Sequence, residues 1–275
     1  MNKQGFENAI KDYIQQSADN YIKKEIALRP ELEGMCIFDE PIFGYASAGD
    51  PYFEEVKKPG IIGPHFIAPT EWLSGAKTVI SMFLPFSKQI RSANQQNMSW
   101  PADEWLHGRI EGQHLQDMAC RFAVDLFKKE NYFALAPMLD SRFSRISPLT
   151  DDKTNKDFYT SNWSERHVAY ATGLGTFGLS KGLISRKGVA GRYMSIITDA
   201  CFEPDKRPYI GIYDYCSNCG TCARNCPSSA ISKEKGKNCY PCSEFAGLIR
   251  AKHTPRFGCG KCQVNVPCEA KAPKA

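Results

Sequence analysis

Nine of the chain's twelve cysteines lie between residues 216 and 268, at spacings that suit metal chemistry. The first run is Cys216-Ser-Asn-Cys219-Gly-Thr-Cys222-Ala-Arg-Asn-Cys226-Pro227, or C-x2-C-x2-C-x3-C-P, the spacing that holds iron–sulfur clusters. A cubane offers irons at fixed corners, and two-residue steps let one loop reach three of them. The fourth cysteine, before the proline, then points at a second cluster. The second run is Cys259-Gly-Lys-Cys262, with Cys268 beyond Pro267. Crossed ligation predicts one cluster on Cys216, Cys219, Cys222 and Cys268. It predicts another on Cys226, Cys259 and Cys262, completed by Cys242, with Cys239 as the fallback. Zinc is the alternative, but a tetrahedral ion does not need three cysteines at two-residue steps followed by Cys-Pro. The spacing therefore favours two [4Fe-4S] clusters. Cys36, Cys120 and Cys201 stand alone and read as plain buried residues.

The rest of the chain must position this segment. At 275 residues and 42% hydrophobic, it is long enough to bury a core without disulfides. Mean hydropathy is −0.41, and no apolar run reaches the ~18 residues of a membrane span. The polar N-terminus lacks the apolar stretch of a secretion signal and any twin-arginine pair. The expectation is a cytoplasmic protein without a membrane partner, where cysteines stay reduced and serve metals. Charge divides as the cysteines do. Residues 201–275 hold 12 Lys+Arg against 6 Asp+Glu, whereas 1–200 are nearly balanced. The excess reads either as a weak nucleic-acid patch or as an offset to anionic metal–thiolate centres.

Periodicity predicts a helix over 6–26, irregular chain over 35–70 and a buried strand over Lys77–Leu84. It further predicts a helix over 112–130, a strand over Tyr132–Met138, and a loop over a site at 147–162. A helix over Ser164–Thr172 ends at Gly173. Gly182–Ser185 and Arg192–Thr198 read as a hairpin, and Ser228–Ile231 as the start of a helix. The expected fold is α+β, with domains at 1–205 and 206–275.

Gly173-Leu174-Gly175-Thr176-Phe177-Gly178 matches a dinucleotide fingerprint, but the residues before it read as helix rather than strand, which excludes NAD binding. The run from Glu165-Arg-His-Val-Ala-Tyr-Ala-Thr-Gly173 through Ile184, then Gly188–Asp199 and the cysteine runs, resembles the epoxyqueuosine reductases and the related reductive dehalogenases. The Pro69–Phe86 stretch is similar to their N-terminal half. The resemblance implies an α/β nitroreductase-like core holding base-off cobalamin, with a ferredoxin-like domain of two [4Fe-4S] clusters supplying electrons. It implies that Gly173, Leu174, Gly175, Thr176 and Gly178 lie against the corrin ring; a helix cap and tight turn is the plain alternative.

The sequence departs from that pattern at the proton donor. Six residues before Glu165, where epoxyqueuosine reductases place an aspartate, stands Tyr159. Dehalogenases use a tyrosine there, so Tyr159 is the candidate acid and Asp157 the nearest carboxylate. A tyrosine packing beside Phe158 and Trp163 is the alternative. The chain ends at Ala275 without the helical repeats that hold tRNA, so tRNA is not the expected substrate. Partners are then a small molecule and an external low-potential electron donor. A second hypothesis is a ferredoxin-type carrier or reductive activator of a separate corrinoid protein. Arg142 and Arg145 could line an anionic pocket.

Overall fold

The computed structural model describes residues 2–146 and 160–274. The elements in chain order are α1 (Lys3–Gln16), β1 (Ile42–Ser47), α2 (Tyr52–Glu55), α3 (Pro69–Trp72), β2 (Thr78–Pro85), α4 (Lys88–Gln96) and α5 (Asp103–Lys129). Then come β3 (Ala134–Leu135), β4 (Arg145–Ile146), β5 (Thr160–Ser161), α6 (Glu165–Ala171), β6 (Gly175–Phe177), β7 (Leu183–Ser185) and β8 (Gly191–Thr198). The cysteine segment adds α7 (Thr221–Arg224), β9 (Ile231–Ser232), β10 (Gly236–Lys237) and α8 (Cys239–His253).

A four-stranded sheet of order β1-β2-β8-β3 forms the centre, and all its pairings are antiparallel. The fold mixes helix and sheet, with a cysteine-rich region towards the C-terminus. Strand β2 is buried at all eight positions because both faces are covered. Ile80, Met82 and Leu84 face a core shared with Phe6, Ile10 and Ile14 of α1 and with Leu115, Ala119 and Phe127 of α5. Val79 and Phe83 face the opposite core, with Phe53, Trp72, Trp163, Val168 and Ala169. Period-two alternation thus serves two apolar layers, which is why the strand reads as an unbroken hydrophobic run.

Several expectations change. The first helix stops at Gln16, because Ser17 turns extended and its hydroxyl accepts a hydrogen bond from Asp19 N. Strand β1 lies inside the stretch read as irregular; its Gly44 is set among bulky residues and hides the alternation. The hairpin over 182–198 does not form. β7 pairs with β6, while β8 crosses to lie between β2 and β3. The helix after Pro227 is also absent: Ser229 takes a left-handed φ of 50°, and Ile231 enters the β9–β10 hairpin. Cys120 is buried, but Cys201 is exposed.

Candidate metal centre

Four cysteines from two distant stretches, Cys216, Cys219, Cys222 and Cys268, line one pocket. Gly178, Ile184, Val266 and Pro267 complete its wall. The backbone winds round it through left-handed turns at Asn218 and Gly220, and Gly220 caps the start of α7. Such turns aim successive N–H groups inward, a polarity that suits an anionic centre. Burial pushes the Cys222 thiol up to about 11 and the Cys268 thiol up to about 12, with the neighbouring cysteines adding to both. Cys219 is the exposed member; burial acts upward on it, but hydrogen bonds with Thr221 outweigh that and bring it below its ordinary value. Its thiol donates to the Thr221 hydroxyl at 3.3 Å.

The second group is deeper. Burial pushes Cys259 up to about 12, and the cysteines acting on it are Cys262, Cys242 and Cys226. Burial also raises Cys262, with Cys242 and Cys226 adding to it and Lys237 opposing. Cys226 and Cys242 thus lie near both Cys259 and Cys262, and Cys262 also acts on Cys222 of the first group. Cys226 accepts a backbone hydrogen bond from Ala230 N at 3.3 Å. Cys239, one turn earlier on α8, acts instead on Arg166 and Lys237. Among the described residues, no three His, Cys, Asp or Glu side chains stand close enough together to hold a metal ion.

Cations flank this group. Lys261 is fully buried, donates to Asn94 O at 2.7 Å and to Asn94 Oδ1 at 2.5 Å, and is lowered by burial to about 8. Asn94 also donates to Cys259 O at 3.0 Å, which ties the Cys259–Cys262 turn to α4. Burial works to lower Lys237, but Cys262, Cys242 and Cys239 outweigh it and its pKa rises. Arg166 is exposed to solvent, yet desolvation by surrounding protein lowers its pKa. Arg109 lies near the same place, held to about 10 by burial and by Arg145, Arg166 and Arg250. Arg142, by contrast, is bound to Asp140 and stacks on Trp72.

The glycine run packs against protein. Gly173 takes a φ of 82° after α6, and Gly175 lies so close to β7 that a Cβ would stand 2.0 Å from Ile184 O. Leu174 is buried, and buried Thr176 accepts from Tyr215 N at 2.9 Å. A Cβ on Gly178 would meet the Ile184 side chain, and this residue also borders the cavity of the first cysteine group. Tyr159 and Asp157 lie outside the described residues.

Sequence reasoning passed over Glu165 as a chemical group. Both its oxygens are buried without a hydrogen-bond partner. Burial pushes it up to about 7; Ser195 and Trp163, bonded to each other at 3.0 Å, lie close enough to oppose the shift only partly. The available signal was a carboxylate two residues after Trp163, at the first position of a helix whose remaining positions are largely apolar. His167 is half-buried, lowered to about 3 by burial and by Arg166, and packed on Phe177 at 4.8 Å.

Comparison with known proteins bears on this arrangement. Residues 209–232 match the 4Fe-4S binding domain family. The chain overlays an epoxyqueuosine reductase from Streptococcus thermophilus with a TM-score of 0.50 at 22% identity, covering 83% of this chain and 62% of that one. A catabolic reductive dehalogenase overlays with a TM-score of 0.52 at 13% identity, covering 84% and 30%. This chain has the fold shared by epoxyqueuosine reductases and reductive dehalogenases. In sequence, it is 39% identical over 69 residues to a tetrachloroethene reductive dehalogenase of Desulfitobacterium hafniense, 25% of this chain and 12% of that protein. A trichloroethene reductive dehalogenase of Dehalococcoides mccartyi is 31% identical over 80 residues, covering 29% and 14%. The chain thus spans a small part of the curated relatives it matches. Its relatives are reductases, and its cysteine segment is of the iron–sulfur type. No helix among the described residues is long and apolar enough to cross a membrane.

Proposed function

We propose that this chain is a cytoplasmic iron–sulfur reductase. Two [4Fe-4S] clusters pass low-potential electrons towards a bound cobalamin and a small oxidised substrate. The observation that carries the reading is the lining of one cavity by Cys216, Cys219, Cys222 and Cys268, residues 46 apart in sequence between the third and the last. In this reading those four hold one cluster, and Cys226, Cys242, Cys259 and Cys262 hold the other. Domain boundaries at 1–205 and 206–275 go with it. The donor chemistry fits: eight thiols, few acids, and Lys237 and Lys261 beside the buried group to balance cluster charge.

Arg166 suits a corrinoid's polar rim, since its guanidinium lies near Cys239 and Cys262. When bound, a corrinoid supplies a strongly reducing, nucleophilic metal centre. Arg166 would hold and orient it. Gly173, Leu174, Gly175, Thr176 and Gly178 keep α6, which carries Arg166, close against β7. Tyr159 supplies the proton, with Asp157 beside it, and Glu165 holds a proton beneath the site near neutral pH.

Anaerobic purification with iron analysis and a hydroxocobalamin absorbance titration tests the reading. Eight irons per chain and saturable cobalamin binding are expected. Eight irons without binding would favour the electron carrier or activator of a separate corrinoid protein, and fewer than eight would refute the paired clusters. Tyr159→Phe is expected to lower turnover at least about 100-fold, the scale of a lost general acid. Unchanged turnover removes Tyr159 from the mechanism.

A further inference from the structure

We propose that the surface formed by Ile210, Tyr213, Lys181, Lys233 and Lys235 docks a small acidic one-electron carrier protein, which reduces the centre at Cys216, Cys219, Cys222 and Cys268. The inference rests on the redox reading above and adds the point of electron entry. Ile210 is 97% exposed and Tyr213 60%, in a molecule whose other large apolar side chains are mostly enclosed. These two do not hang on a loose loop. Asp214 Oδ2 accepts from Ile210 N at 3.0 Å and from Gly211 N at 2.8 Å, so the chain forms a tight turn. Phe177 N donates to Ile212 O at 2.7 Å, and Tyr170 Oη donates to Ile210 O at 3.3 Å, which fastens the turn to the core. A rigid turn that lifts an isoleucine and a tyrosine into water pre-pays the ordering cost of an interface.

The neighbouring charge selects the partner. Lys181, Lys233, Lys235 and Lys237 line an open cleft together with Tyr213 and Cys216. Of the nearby carboxylates, Asp214 is occupied by its turn, and Glu234 is the single acid on a hairpin that carries three lysines. Such a surface attracts an acidic protein and repels a basic one. The electron path is short. Cys216 N donates to Tyr213 O at 2.9 Å, so the turn under the docked protein leads directly into the cysteine loop, and Cys219 is exposed beside it. In the transfer, the carrier's reduced cluster or flavin loses one electron and the centre gains one; no bond or proton moves.

The test is anaerobic stopped-flow reduction of the iron-loaded protein by a reduced acidic ferredoxin, with dithionite as the small-molecule comparison. The wild-type rate with ferredoxin should fall steeply as salt rises. Lys181→Gln/Lys233→Gln/Lys235→Gln should slow that reaction about tenfold at low salt and flatten its salt dependence. Ile210→Ser should slow it severalfold at every salt concentration. Reduction by dithionite should keep the wild-type rate in both variants. Unchanged ferredoxin rates in both variants overturn the docking surface and leave the redox reading intact. Wild-type protein that dithionite cannot reduce overturns both.

Discussion

The central sheet and the cysteine segment are stabilised in opposite ways. Strand β2 is enclosed along its whole length, with helices on both faces, so apolar burial of the order of 2 kcal/mol per large side chain holds it. Over residues 206–274, only seven hydrophobic side chains are buried among those described. Four of them, Tyr209, Tyr215, Val264 and Val266, belong to the two cores of the sheet. Ala230, Ile231 and Ile249 are too few for a core of their own. The same segment carries left-handed residues at Asn218, Gly220, Ser229, Gly236, Gly258, Gly260 and Asn265, a backbone wound round something other than side chains. One region is shaped by its own packing, the other by what its thiols hold.

The largest expected effect separates those two regimes. Cys242→Ala should lose about four irons and leave the cysteine segment open to proteolysis, since ligand bonds supply most of its folding energy. Cys239→Ala should keep all the iron. Hydrogen-exchange protection of β2 should persist in both variants. Loss of iron in the Cys239 variant alone would exchange the two roles. Loss of β2 protection together with the iron would break the contrast itself.

A substitution in the packed region should act without touching metal content. Gly175→Ala places a methyl 2.0 Å from Ile184 O, and backbone cannot yield as a side chain does. A loss on the order of 4 kcal/mol is expected by denaturant titration, with iron content per folded chain unchanged. Retained stability would mean that β6 and β7 separate freely.

The smallest effect concerns Glu165. Its folded pKa, about 7, lies above the ordinary 4.5, so the folded protein binds the extra proton between those values. Its contribution is complete below about pH 4.5 and is lost as pH rises through 7, a fall of roughly 3 kcal/mol across the window. Glu165→Gln should flatten that part of the stability–pH curve. A slope equal to that of the wild type would place the titration elsewhere.

These contrasts also explain what the amino-acid pattern disclosed. The meeting of Cys216, Cys219, Cys222 and Cys268 was legible in their short fixed steps, and β2 because a strand covered on both faces is continuously apolar. The β6–β7 pair was not legible: Gly182–Ser185 is adjacent in sequence to β8, and only the close approach at Gly175 selects its true partner. Local propensity also placed a helix at Ser228–Ile231, where the turn at Ser229 and the β9–β10 pairing prevail. Arg166 and Lys237 carried no local signal, since their significance comes from segments far away in the chain. The choice between Cys239 and Cys242 depended on one turn of α8, which spacing alone does not orient.

Lys261 has a bearing on how the molecule is made. Its ammonium sits sealed from water against an amide and a carbonyl, with no carboxylate to neutralise it. If the Cys259–Cys262 turn holds iron as proposed, closing it beforehand strands a positive charge in the interior, whereas closing it afterwards joins opposite charges, so the last stretch of chain would seal over inorganic cargo already in place.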